Sequence, residues 1–545
     1  MPAKRKQPVK EIPIVKDAIK KIPAKAKKVA KDVKAAIVKK ESPKRVVVKK
    51  GTTKKEITKN EDPKRVVVKK GTTKKETPKN EDPKKVTALA INDVKEIEET
   101  PTKKETPKKG SSAVKKPIKE VDCPLETYIN TRRGDLILTC GTGEQIGHGE
   151  RNTTKKPRGI MDSLPDDIVD VAAGGVHSVM LTSNGDIYSC GINEKGTIPL
   201  PGRKDDDSIT EFTKLTFSAE IMSLGKFVSI AAGASFTAAL TEHGSVLLWG
   251  DLRDAGGEMT EHRVFENLRE DINILIDHRK GNAMSKIACG ENHIICLSQH
   301  GELFTFGDPT KGQLGRVRGS DAVRQKTYYA DNSGAGIRVP NIIRKSKAVK
   351  FKNVFAGGYW SAAISKEGHV YVCGLNNYDQ LGFKADLDTK NAENRITSFK
   401  RSEIFEKSGS EITHFSGTQH IVVRYDNGEV WVIGRNIDNA LGLGTWKGNS
   451  DEENWKSDHL VQLTFSDKIA GVTAGLGCSV AWSEDGRAFS WGADTSGQLG
   501  LGINDDDDEK MVAKPRQITS KHLEDKQIFK ATISDNHCIF LTDDA

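Results

Sequence analysis

Four histidines recur at one position of a repeated Gly-x-x-His motif: His177, His293, His420 and His537. Imidazole in a repeated setting suggests metal ligation or proton transfer. A metal site needs several donors at closely matched distances. The chain has no Cys-x-x-Cys pair, and the same motif position holds Phe236, Trp360 and Cys478 in the other copies. A ligand set is not interleaved with phenylalanine and tryptophan, so no metal and no cofactor is expected. The motif histidine is read instead as a turn cap that hydrogen-bonds backbone. Covalent catalysis finds no support either. The chain has no Gly-x-Ser-x-Gly, no Walker-type phosphate loop and no His-Glu-x-x-His.

The elements that carry these histidines repeat about every sixty residues. One copy reads AAGGVHSVMLTSNGDIYSCG and ends at Gly191; others end at Gly250, Gly307, Gly374, Gly434 and Gly492. A seventh, TISDNHCIFLTDDA, runs to the end of the sequence without a final strand, while LILTCG at Leu136–Gly141 is a closing strand with nothing before it. Each copy predicts about four short strands, with Ser183-Asn184-Gly185 as a hairpin turn. Units of this length cannot bury their own faces and must stack. The fold expected is all-β: a seven-bladed β-propeller over residues 126–545, closed by the N-terminal strand.

Residues 1–125 are expected to be a disordered basic tail. Residues 1–122 hold 38 Lys+Arg against 17 Asp+Glu and no Phe, Trp or Tyr, whereas the rest of the chain is net −11. A segment without aromatic residues cannot build a core. A twenty-residue unit also repeats within it, ESPKRVVVKKGTTKKEITKN followed by EDPKRVVVKKGTTKKETPKN. Such a tail suits a polyanion, with Lys4, Arg5, Lys6, Arg45 and Arg65 as phosphate contacts. A solubilising tail, or a nuclear import signal alone, is the alternative. Ser42-Pro and Thr106-Pro are candidate phosphosites, and each phosphate would weaken polyanion binding. The eight cysteines are scattered and are read as buried small hydrophobes in a reducing compartment. No apolar run suits a signal peptide or a membrane span.

Three segments interrupt the period. Residues 251–284 are long and charged, residues 316–350 are rich in Arg and Lys, and Asn504–Glu509 is acidic. Loops on a rigid ring are where binding function concentrates.

The repeat, with Gln313-Leu314-Gly315-Arg316, Gln380-Leu381-Gly382 and Gln498-Leu499-Gly500, resembles the regulator of chromosome condensation family over roughly 135–545. A single ring behind a basic tail is similar to the chromatin-bound members that exchange nucleotide on the small GTPase Ran. The resemblance implies a nuclear, non-enzymatic exchange factor. One face would grip Ran, and a wedge from the third blade would loosen magnesium and nucleotide. The other face and the tail would hold a nucleosome through its histone acidic patch and its DNA, and the tail would also meet a nuclear import receptor. The wedge maps to Leu252–Met259, including Arg253, Asp254, Gly256 and Gly257. Exchange-face positions map to Glu144, His177, Asn292, Arg316, His369, His420 and His537, with Glu291 as a neighbouring carboxylate. The chromatin-side loop maps to the stretch with Arg318 and Arg324. Ala234 and Asn292 stand where the family pattern has Asp. This leaves open a diverged exchange factor or a chromatin platform without exchange. A propeller enzyme or lectin-like binder is the third reading.

Deleting residues 1–122 is expected to flatten the slope of log affinity against log salt for DNA. Titrations at several salt concentrations check this, and an unchanged slope removes the tail from the interaction.

Overall fold

A computed structural model describes residues 121–160, 164–165, 167–253, 263–316, 337–385, 394–448, 451, 453–504 and 510–545. Among the described residues, seven antiparallel sheets form blades that follow one another in chain order, and an eighth is a two-stranded ribbon. Counting the closing blade as the first, the second blade shows the pattern: Ile168–Ala173, His177–Thr182, Ile187–Ile192 and Ser208–Lys214, each paired with the next. The third, fifth, sixth and seventh blades repeat this four-strand order. Among the described residues the fourth has three strands, Met284–Cys289, His293–Ser298 and Leu303–Gly307, and a bridge from Phe304 to Arg338 marks its outer edge.

The second strand of each blade is buried at every position from the motif residue through the next five, as in HSVMLT, FTAALT and WSAAIS. It lies between two neighbouring sheets, so both of its faces are covered. That explains its near-continuous apolar sequence. The glycine ending each third strand lies opposite the motif residue, as Gly191 does with His177. Gly191 has φ +127°, and a Cβ there would meet the Val176 carbonyl oxygen at 2.3 Å. Only glycine fits so close an approach in that conformation.

The innermost strands line the axis. Each breaks register near its start: between the first and third residues in six of them, and between Ile528 and Lys530 in Lys526–Ile533. The residues that follow the breaks are Asp170, Ser229, Lys286, Asn353, His414, Gly471 and Lys530. A break of this kind re-aims a side chain. It sets one residue per blade at one level of the channel.

Closure uses two N-terminal strands, not the single one the sequence suggested. Leu136–Thr142 pairs with His537–Asp544, and Thr153–Gly159 pairs with Leu136–Thr142. LTDD continues the second strand of this blade and ends there. The expected boundary at residue 125 also falls inside packed chain. Cys123 and Leu125 are buried, and the segment from Asp122 to Gly134 straps one end of the channel. Its Tyr128 hydroxyl donates to the Lys352 carbonyl (2.6 Å), and its Asn130 amide donates to the Val169 carbonyl (2.8 Å) on a distant blade. Arg132 forks onto Asp543 at 2.7 Å.

Removing residues 1–159 is expected to abolish cooperative unfolding, because it strips two strands from the first blade and leaves an unpaired edge. Removing residues 1–120 should leave the transition intact. Circular dichroism melts distinguish the two.

Candidate functional site

Alternating strand direction sorts the loops onto two faces. Gly-x-x-His turns and the long loops after each third strand lie on one face; hairpin turns such as Asn184-Gly185 and the blade-to-blade connections lie on the other. The strap crosses that second face.

The motif histidines belong to neither face. His177, His293, His420 and His537 have no solvent exposure. Each ring sits in a seam between blades, with Nε2 at 2.8–2.9 Å from the hydroxyl of Thr237, Ser361, Ser479 or Ser178 on the next blade. Ser178 gives its only proton to the Gln145 carbonyl (2.7 Å), and Ser361 gives its own to the Gln313 carbonyl (2.8 Å). The imidazoles of His537 and His293 must therefore donate Nε2–H to these serines. Gln145 and Gln313 belong to the same blades as their histidines, so each link ties histidine, neighbouring serine and the histidine's own long loop together. The expected backbone cap is thus a side-chain link across the seam, and His177, His420 and His537 are corrected from face residues to seam residues. Phe236, Trp360 and Cys478 fill the alternate seams, all three buried.

The Gln-Leu-Gly motif is likewise internal. Gln313, Gln380 and Gln498 are buried, and the amides of Gln380 and Gln498 donate to the Leu375 and Ala493 carbonyls. They shape the long loops.

Other expected site residues separate by position. Glu144 is half-buried in the loop Glu144–Ile146 on the Gly-x-x-His face. Asn292, beside the motif histidine, is buried, so it offers a partner little surface. Its neighbour Glu291 is half-buried at the channel mouth, alongside Asp535 and Gly358. Burial raises the Glu291 carboxyl against the opposing hydrogen bond from Tyr359, and Asp535 adds to the rise. Asp535 is open to water but closely ringed by protein, which raises its carboxyl too, while Leu476 N–H donates to it at 3.1 Å. Arg316 lies at the outer rim, bridged to Ser398. His369 stands on the opposite face, in a hairpin turn, and meets Glu406 at 3.1 Å; its grouping with the exchange face is corrected. Burial works against the charge of Glu406, but Arg401 and His369 hold its carboxyl down to about 2.

The proposed wedge shows its root. Leu252 is buried in the core beside Phe236 and Leu268, so it anchors the segment rather than tipping it. Asp251 is buried and ion-paired to Arg253 (3.5 Å) before the segment and to Arg269 (2.5 Å) in the helix Arg263–Glu270 after it. Arg253 also reaches Glu194 (2.9 Å) and Ser235 (3.0 Å) on the preceding seam. One buried carboxylate thereby clamps both ends of the insertion. Asp254, Gly256 and Gly257 lie outside the described residues, as do Arg318, Arg324, the acidic run after Asn504, and Lys4, Arg5, Lys6, Ser42, Arg45, Arg65 and Thr106. The basic exit of the 316–350 segment is an exposed ribbon, Ile343–Arg344 with Lys347–Ala348, on the strap face. Among the described residues no cluster of three or more His, Cys, Asp or Glu could hold a metal, and no helix is long and apolar enough to cross a membrane.

Sequence reasoning missed Asp251 and the channel lysines. The signal was a polar residue after the register break in six of the seven innermost strands, Gly471 being the exception, visible only once the strands are aligned.

Residues 136–540 match the family model described as RCC1-like domain. The Xenopus laevis regulator of chromosome condensation is 34% identical over 416 residues, covering 75% of this chain and 90% of that protein. Yeast RCC1 (Prp20), solved bound to Kap60, superposes with a TM-score of 0.66 at 20% identity, over 81% of this chain and 97% of that one. Prp20p from Saccharomyces cerevisiae, described with its binding properties to Gsp1p and histones, gives a TM-score of 0.64 at 20% identity, over 77% and 95%. The two structural likenesses concern the fold.

Burial lowers all four seam histidines to about 3. They are neutral in the fold, whereas an unfolded histidine takes a proton below about 6.5. Their contribution is full above that pH and falls as pH drops toward 3, by roughly 1.4 kcal/mol per pH unit for each histidine. The melting temperature should fall steadily below pH 6.5, and His420→Gln should make that fall shallower. Calorimetry from pH 7.5 to 4.5 checks it.

Proposed function

The chain belongs to the regulator of chromosome condensation family, and from that premise we propose that it is a guanine nucleotide exchange factor for Ran, acting at chromatin in the nucleus. The observation that carries this reading is the clamped insertion root. A wedge that displaces a partner's phosphate-binding loop must transmit force to a rigid base, and Asp251 fixes both of its ends to the third blade. The chemistry is non-covalent. The bound partner is held with its magnesium and nucleotide loosened, so GDP leaves and the more abundant GTP replaces it. The acidic channel mouth with Glu291 and Asp535, and Glu144 on the same face, suits basic groups of such a partner. Exposed Leu476 beside them adds apolar contact.

The opposite face carries the exposed Arg344, Lys345 and Lys347 ribbon, and the net +21 tail precedes the strap. Both suit the acidic surfaces of a nucleosome, its DNA phosphates and its histone acidic patch. Cationic and anionic partners would then occupy separate faces at once. A nuclear import receptor reading the tail fits the same composition, and a yeast relative has been solved with Kap60.

Ala234 favours a second reading, a chromatin platform without exchange. Its N–H donates to the Glu291 carbonyl (2.8 Å) and its carbonyl accepts from Gly175 N–H (2.8 Å), so this turn offers a partner no side-chain acceptor.

Release of labelled GDP from Ran decides between them. The full chain should accelerate release, and replacing Asp254–Met259 by a short Gly-Ser turn should abolish the acceleration with the melting temperature within a few degrees of the parent. Nucleosome binding with no acceleration by the parent chain would establish the platform instead.

A further inference from the structure

Beneath the strap the channel widens to a cavity of about 600 Å³, within the range of small-molecule sites. Its wall carries an excess of positive charge. Asp170 is ion-paired to Lys530. Lys286, from the fourth blade, donates to the Asn353 side-chain oxygen (2.6 Å) and lies 4.4 Å from the centroid of the Phe355 ring. Among the described residues no carboxylate forms an ion pair with it. Its ammonium has three donors, and the neutral amide occupies one.

The surroundings do not balance this charge. Arg424, behind His414, donates to the Ile469 carbonyl and the Thr413 hydroxyl, both at 2.8 Å and both neutral. His414 lines the cavity as a neutral ring, lowered to about 3 by burial and then by Arg424, Lys286 and Lys530. The Lys286 ammonium is itself lowered to about 8, first by burial and then by the charge of Lys530. Arg132 closes the rim, with Asp543 as its partner. Lys286 is half-buried on the cavity wall, and a charge closely ringed by protein without a counter-ion is costly, a cost that an anion in the cavity would relieve.

We propose that this cavity binds a phosphate-bearing small molecule, with Lys286 and Lys530 as its charge contacts from two different blades. Two ammonium groups approaching from separate walls suit a group with several equivalent oxygens, for which lysine serves as a point charge. The seam and exchange-face residues take no part.

The test uses the full chain at constant ionic strength, titrated with inorganic phosphate and, separately, with inositol hexakisphosphate, read by calorimetry and by the unfolding midpoint. The basic tail binds both probes, so the comparison is between the parent, Lys286→Met and, as an external control, the exposed Lys521→Met. In chloride, Lys286→Met should melt at or above the parent, because an uncompensated charge is gone. One class of sites should lose at least tenfold in affinity for the probe in Lys286→Met and not in Lys521→Met. A response to inorganic phosphate indicates the free ion as ligand, and a response to inositol hexakisphosphate alone indicates a polyphosphorylated one. If Lys286→Met does not fold, Lys286→Arg should fold and keep the tight class, while Lys286→Gln should lose it. Titrations that superimpose for parent and Lys286→Met, or tail-strength binding alone in the parent, overturn the proposal.

Discussion

Everything in this ring depends on its seams. A four-stranded blade has two apolar faces and no means of covering either, so each sheet is stable only when pressed between two others. Second strands buried at every residue are the direct consequence, and so is the need for one final contact that joins the last blade to the first. Here that contact lies within one sheet: the C-terminal strands Lys526–Ile533 and His537–Asp544 are hydrogen-bonded into a blade with two strands from the N-terminal side. Opening the ring would require breaking a full ladder of backbone hydrogen bonds rather than separating two surfaces. The polar seam links add direction to this apolar packing. A histidine–serine contact with a carbonyl behind it is satisfied in one register only, so it fixes how far one blade can slide past the next.

The repeat made the architecture legible because backbone geometry fixes it. The terminal glycine, the hairpin turn and the small residues before the motif position each answer a steric demand that recurs in every blade, and so each recurs in the sequence. Which surface a residue faces is set differently. His177 and His369 look alike as sequence, two histidines near turns, yet one is sealed in a seam and the other stands on the far face. The difference is the parity of the turn, after an odd or an even strand. The resemblance implied one face for both, whereas strand parity separates them. The strap was hidden for another reason. Cys123, Leu125 and Tyr128 are too few and too irregularly spaced to show a strand or helix period, and they are held by partners more than a hundred residues away.

The candidate site was legible at its edges. The charged insertion stood out because it breaks the period, and Glu291 because it adjoins the motif. What anchors the insertion is Asp251, an aspartate directly after a strand-ending glycine, where other turn aspartates look the same in sequence. Its importance comes from reaching two arginines on opposite sides of the insertion, a coincidence of tertiary structure. The channel lysines were invisible for a similar reason, since Lys286 and Lys530 become neighbours only when the ring closes.

The two ends of the channel carry opposite charge, and the fold can sustain this because they are separated by the depth of the blades. Burial raises both the Glu291 and Asp535 carboxyl groups at one mouth, and Asp535 adds to the rise of Glu291. Lys286 at the other end is lowered first by burial and then by the charge of Lys530. Neither cluster neutralises the other, although pairing them would relieve both. The seven innermost strands prevent that pairing: the register break sets the residue that follows it at one level, while the motif turns hold the carboxylates at another. A scaffold that holds Lys286 at one end and Glu291 with Asp535 at the other keeps these opposite charges apart, which is the arrangement the proposed partners of opposite sign would use. The rigidity that the seams confer is what prevents the molecule from satisfying those charges internally.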